Sequence, residues 1–129
     1  MSGRTILLVD EDKDTRIILD VVLRNNGYET VEAENGEVAF LVAHQRTIDL
    51  IILNYPMPDE TGKPLVRRLR ESEPTRHIPV LNITSRVVPH FLSQAEADGV
   101  TMSVSKPMDV TNVLQIVAQL IARPAVMIG

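Results

Sequence analysis

The chain has 129 residues, no cysteine and a formal net charge of -4. These facts exclude disulfides, thiol catalysis and thiolate metal sites, and they argue against a nucleic-acid surface, which needs a clustered basic face. With 44% hydrophobic and 23% charged residues, the composition is that of a globular protein, and the length suits a single domain.

Ile6–Val9 is a short apolar run, read as the first strand. It ends in three consecutive acids, Asp10, Glu11 and Asp12. Asp12 and Asp14 suit the capping of a following helix, whereas Asp10 and Glu11 lie at the strand end and can point into a crevice beyond it. Thr15, Ile18, Leu19, Val22 and Leu23 recur at helical spacing, which predicts an amphipathic helix over 14–25 closed at Gly27. Ile17 and Val21 fall outside that stripe, as plain surface residues or as an apolar patch beside Ile18. Tyr28–Ala33 alternates polar and apolar residues as an edge strand does. Asn35-Gly36-Glu37 opens a second helix, with Val38, Leu41 and Val42 among its apolar positions.

Leu50–Leu53 is a continuous apolar run too short for a helix, the pattern of a strand buried on both faces. It stops at Asn54, and Pro56, Pro58 and Gly62 make a stiff loop beyond. Ligands and chemistry gather outside the carboxyl ends of such strands. Asn54 therefore stands where a reactive group is expected, although an amide is a poor nucleophile. Pro64 opens a helix that packs through Leu65, Val66 and Leu69, with Arg67, Arg68 and Arg70 on its solvated side. Ile78–Ile83 is the fourth strand; it carries a polar oddity, Asn82, and ends at Thr84-Ser85. Pro89 begins a helix with Val88, Phe91, Leu92 and Ala95 on one face, closed by Gly99. Met102 and Val104 mark a fifth strand, followed by Ser105-Lys106-Pro107. The last helix carries Val110, Val113, Leu114, Val117, Leu120 and Ile121 as its stripe, with Asp109 as cap and Pro124 as its stop.

Five strands alternating with five helices predict an α/β fold: a three-layer, doubly wound parallel sheet of flavodoxin-like type. Strand order 2-1-3-4-5 places the crevice between strands one and three. The core is expected over about residues 4–122, with a loose tail over 123–129. No apolar stretch reaches membrane-spanning length and no signal-peptide h-region precedes the first strand, so a cytoplasmic protein is expected. His44, His77 and His90 lack metal-site spacing.

Markers at the strand ends carry a family resemblance. They are Leu8-Val9-Asp10-Glu11, Asp49-Leu50 leading to Asn54, Met57-Pro58-Asp59 with Gly62, Ile83-Thr84-Ser85, and Lys106-Pro107. With them the chain resembles the receiver domain of two-component response regulators over nearly all of residues 4–122. The resemblance implies a signalling module rather than an enzyme, with an aspartyl phosphate received from a histidine kinase. It implies a Mg²⁺ ion held by Glu11, by Asp10 through water, and by the Pro56 backbone carbonyl, beside position 54. It further implies that Thr84 bonds a phosphoryl oxygen and that Lys106 pairs with the acceptor carboxylate or its phosphate. The expected partners are a sensor histidine kinase or a histidine phosphotransfer protein, docking over Thr15, Ile18, Val21, Pro107 and Met108. A downstream protein or a homodimer partner is a further expectation; nucleic acid and membrane are not.

Two positions depart from the family pattern. The acceptor aspartate corresponds to Asn54, so the expectation is a chain that cannot form the acyl phosphate, binds Mg²⁺ more weakly and acts through partner binding. The switch position, an aromatic in the family, is Ser103. An engineered aspartate-to-asparagine change in a conventional response regulator is the alternative reading, and Ser103 favours natural divergence. A flavin- or nucleotide-binding domain of similar fold is a more distant alternative, because the loop after the first strand is acidic where a phosphate cradle needs free N–H groups.

Overall fold

Each short apolar run becomes a strand, and each periodic stretch between them becomes a helix. The computed structural model describes residues 3–122. In chain order these are β1 (Thr5–Val9), α1 (Lys13–Arg24), β2 (Glu29–Ala33), α2 (Gly36–Gln45) and β3 (Leu50–Leu53). Then follow α3 (Leu65–Glu71), β4 (Val80–Thr84), α4 (Pro89–Asp98), β5 (Met102–Ser105) and α5 (Val110–Ala122). All five strands are parallel, in the order β2-β1-β3-β4-β5. This is the doubly wound arrangement expected from the alternation. Pro124 and the expected tail over 123–129 lie outside the described residues.

The strand alternation divides the core in two. Leu7, Val9, Ile51, Leu53 and Val80 face one side, packed with α2, α3 and α4 through residues such as Ala39, Leu65, Leu69 and Ala95. Ile6, Leu8, Leu50, Ile52, Leu81 and Ile83 face the other, under Leu19 and Leu23 of α1 and Val113, Val117 and Leu120 of α5. Burial on both faces explains why β1, β3 and β4 are apolar nearly throughout. Edge strands β2 and β5 are half-exposed.

Several helix faces differ from expectation. The buried stripe of α1 is Thr15, Leu19 and Leu23, while Ile18 is 46% exposed and joins Ile17 and Val21 outside. α2 turns Ala39 and Ala43 to the sheet and leaves Val38 and Leu41 exposed. Small side chains win there because the helix approaches closely: a Cβ on Gly36 would sit 3.1 Å from the Met57 carbonyl oxygen. Ile116 is buried on α5, whereas Val110 is exposed. Arg70 is not solvated surface. Its guanidinium donates to the carbonyls of Gly99, Arg76 and Ile78, and burial pulls it below its ordinary range. Gly99 closes α4 at φ +119, where a Cβ would meet Arg70 Cγ at 2.6 Å, so glycine is required twice over.

Candidate functional site

Parallel pairing brings the carboxyl ends of the strands together. Val9 of β1 stands opposite Leu53 of β3, so Asp10 and Asn54 emerge side by side. Thr84 of β4 stands opposite Ser105 of β5, and Lys106 follows directly. Asp10 is 5% exposed. Its Oδ1 accepts the Asp12 N–H at 2.9 Å, and its Oδ2 lies 3.3 Å from Lys106 Nζ. Glu11 is exposed at the rim, and Asn54 is partly covered.

Thr84 is buried, and its hydroxyl oxygen accepts the Arg86 N–H at 2.9 Å. The Pro56 carbonyl accepts the Leu65 N–H at 3.1 Å, which leaves one lone pair for another partner. Lys106 thus pairs with Asp10, the carboxylate nearest it, rather than with position 54. The sequence motifs did not reveal Arg16. Its side chain is only 12% exposed, donates to the Asp10 carbonyl at 2.5 Å and pairs with Glu32 at 3.0 Å, bracing the acidic loop from α1. Its sequence signal is weak: one cation on the helix that follows three acids.

The expected docking residues separate into two kinds. Ile18 and Val21 are exposed and form an apolar face with Ile17. Thr15 is buried and donates its hydroxyl to Asp12 at 2.7 Å, within the loop's own structure. That bond, outweighing the opposing effect of burial, holds the Asp12 carboxyl below its ordinary range. Pro107 is exposed, and Met108 packs partly against the core under α5.

The loop after β3 corrects the expectation about the acceptor. Reading Asn54 as the acceptor position leaves the chain unable to form an aspartyl phosphate, whether as a divergent or an engineered receiver. A carboxylate, Asp59, nevertheless stands in this loop, so phosphorylation is not excluded. In the sequence Asp59 figures only as part of the Met57-Pro58-Asp59 marker, where its carboxylate does not stand out as an acceptor. Its Oδ1 accepts from the Thr61 N–H at 2.8 Å, the Thr61 hydroxyl at 2.6 Å and the Lys63 N–H at 3.0 Å. Arg68 lies 3.7 Å from Oδ2. The Thr61 hydroxyl, ahead of the other partners, holds the Asp59 carboxyl below its ordinary range, so it is ionised at neutral pH.

Among the described residues no three histidine or carboxylate side chains converge as a metal cluster. Asp10, Glu11, the Asn54 amide and the Pro56 carbonyl are hard oxygen donors carried just beyond the ends of β1 and β3. That set fits Mg²⁺, which binds through one or two carboxylates and keeps several waters.

Comparison with known proteins places this geometry. Residues 6–118 match the family model described as the response regulator receiver domain. The chain is 41% identical over 86 residues to the phosphate regulon transcriptional regulatory protein PhoB of Pseudomonas aeruginosa, covering 67% of this chain and 38% of that protein. It is 34% identical over 103 residues to the chemotaxis protein CheY of the same organism, covering 79% of this chain and 83% of that one. The chain therefore spans well under half of the first relative and most of the second. Among solved structures, the receiver domain of a Pseudomonas aeruginosa sensor histidine kinase superposes with a TM-score of 0.84 at 22% identity, covering 95% of this chain and 100% of that one. That structure holds a magnesium ion in its active-site cleft.

Proposed function

Because the chain belongs to the response regulator receiver domain family, we propose that it is the receiver of a two-component or phosphorelay pathway in the cytoplasm. On this reading residues 4–122 are one receiver domain, which engages a sensor histidine kinase or a histidine phosphotransfer protein. The observation that carries the reading is the buried Asp10 carboxylate, held beside Lys106 at the carboxyl end of the sheet. Asp10 and Glu11 would hold Mg²⁺, with the Asn54 amide oxygen and the Pro56 carbonyl completing the protein's share. The bound ion supplies charge neutralisation for an incoming phosphoryl group. Lys106 adds a cation at the same place, and Thr84 adds a hydroxyl for one phosphoryl oxygen. A sensor-kinase receiver domain with magnesium in its active-site cleft supports the metal. No helix among the described residues is long and apolar enough to cross a membrane.

Phosphoryl transfer is mostly positioning and charge stabilisation around a carboxylate nucleophile. Acetyl phosphate with Mg²⁺, followed by intact-mass measurement and peptide mapping, identifies that nucleophile. The comparison takes the unmodified chain with its Asp59→Asn and Asn54→Asp forms. A phosphoryl group gained by the unmodified chain and lost in Asp59→Asn assigns the acceptor to Asp59. Asn54→Asp is expected to gain one, because position 54 emerges beside Asp10 at the carboxyl ends of β3 and β1. Failure of every form to react overturns the proposed site.

A further inference from the structure

Asn82 is the polar residue that the fourth strand should not contain. It is 0% exposed, between Leu53 on β3 and Ser103 on β5. A buried amide is costly unless its donor and acceptor are both satisfied, and here both are. Asn82 Oδ1 accepts the Tyr55 N–H at 2.9 Å, and Asn82 Nδ2 donates to Ser103 Oγ at 3.1 Å. The amide cannot be turned over, because the Tyr55 N–H only donates and must face an oxygen. Tyr55 is pinned at its other end too: its phenol donates to the Asp98 carboxylate at the end of α4. Burial, and then Asp98, push that phenol above its ordinary range, so it remains a donor. Its ring packs edge-on against Phe91 with centroids 5.2 Å apart.

Tyr55 lies between Asn54 and Pro56, the two residues of the β3 loop that face the proposed metal. From this we infer that Asn82 and Ser103 are positioning residues for the Asn54–Pro56 segment. Ser103 holds the Asn82 side chain in one orientation, and Asn82 holds the Tyr55 amide. The direction in which the loop presents its amide and carbonyl oxygens is thereby set from β5. A hydroxyl–amide pair occupies the place where the resemblance leads one to expect an aromatic ring. The inference rests on the proposed Mg²⁺ site, and its test separates the two.

Replacing Asn82 endangers the fold, so Ser103→Ala carries the test and Ser103→Thr is the conservative control. Two quantities are read on the full chain: hydrogen exchange of the Tyr55 amide without metal, and Mg²⁺ affinity by calorimetry. Ser103→Ala should speed Tyr55 exchange by about tenfold while amides of β1 stay unchanged, and it should weaken Mg²⁺ binding several-fold. Ser103→Thr, which keeps the hydroxyl, should restore both. Tyr55 exchange that is unchanged, or that rises only in step with β1, overturns the inference. So does a loosened Tyr55 amide with undiminished Mg²⁺ affinity. An unmodified chain that binds no Mg²⁺ overturns the metal reading alone, and the exchange comparison still decides whether Ser103 positions the segment.

Discussion

At the scale of single residues, charge decides most of what the crevice can do. Introducing a carboxylate at position 54 adds an attraction to a nearby cation of roughly 4 kcal/mol per unit charge at ~4 Å and an effective dielectric of ~20. The amide oxygen and water already return part of that, so Asn54→Asp should tighten Mg²⁺ binding by at least about tenfold; a calorimetric titration giving equal affinities would refute this. Asp59 has a separate consequence for acid stability. Its folded-state carboxyl lies below its ordinary value, so its contribution is present above the unfolded value of about 3.9 and is lost as pH falls through the folded one. Asp59→Asn should therefore be less stable than the parent at pH 7, with the gap narrowing towards about pH 3. Urea midpoints at the two pH values check this, and a constant gap would show that the ion contributes nothing. Thr75 is a neutral counterpart, fully buried with its hydroxyl donating to the Leu69 carbonyl at 2.7 Å. Thr75→Val should cost about 1–2 kcal/mol in denaturant unfolding.

At the scale of elements, strands were easier to read than helix faces. A parallel strand buried on both sides writes a continuous apolar run, so β1, β3 and β4 were visible within one or two residues. Helices α1 and α2 carry apolar residues on more than one side, and periodicity alone does not say which side meets the sheet. Ala39 and Ala43 were passed over for the larger Val38 and Leu41 because hydrophobicity scales with size, whereas close helix–sheet approach favours small side chains. The same ambiguity hides the exposure of Ile18, which leaves it free for the proposed docking. Ile17, Ile18 and Val21 form an exposed apolar face, and a charge at its centre opposes burial against any partner helix. Ile18→Glu should leave the unfolding midpoint nearly unchanged and abolish binding to a cognate kinase or phosphotransfer protein, measured by calorimetry. Retained binding would remove α1 from the interface. Asn35 caps α2 by accepting the Val38 N–H at 2.9 Å, and Asn35→Ala should cost about 1 kcal/mol.

At the scale of the whole molecule, the parallel sheet brings four strand ends, and with them the proposed site residues, to one edge. Asp10, Asn54 and Thr84 stand out in the sequence as proposed site residues because each directly follows or ends an apolar run, and Lys106 stands out because it precedes Pro107 just after β5. What lay across strands was not. The Lys106–Asp10 pair, the Arg16 brace and the Asn82–Ser103 contact depend on register and on side-chain direction, which no single segment encodes. Asp59 is obscured for a different reason: prolines and a glycine dominate the sequence signal of its loop. Asp10 is the buried anchor of the proposed Mg²⁺ site. A calorimetric Mg²⁺ titration of the unmodified chain beside Asp10→Asn, a change of nearly equal volume, tests that claim most directly. Saturable binding by the unmodified chain, weakened at least about tenfold in the variant, is the predicted result. Equal affinity in the two forms, or no binding by the unmodified chain, would contradict it.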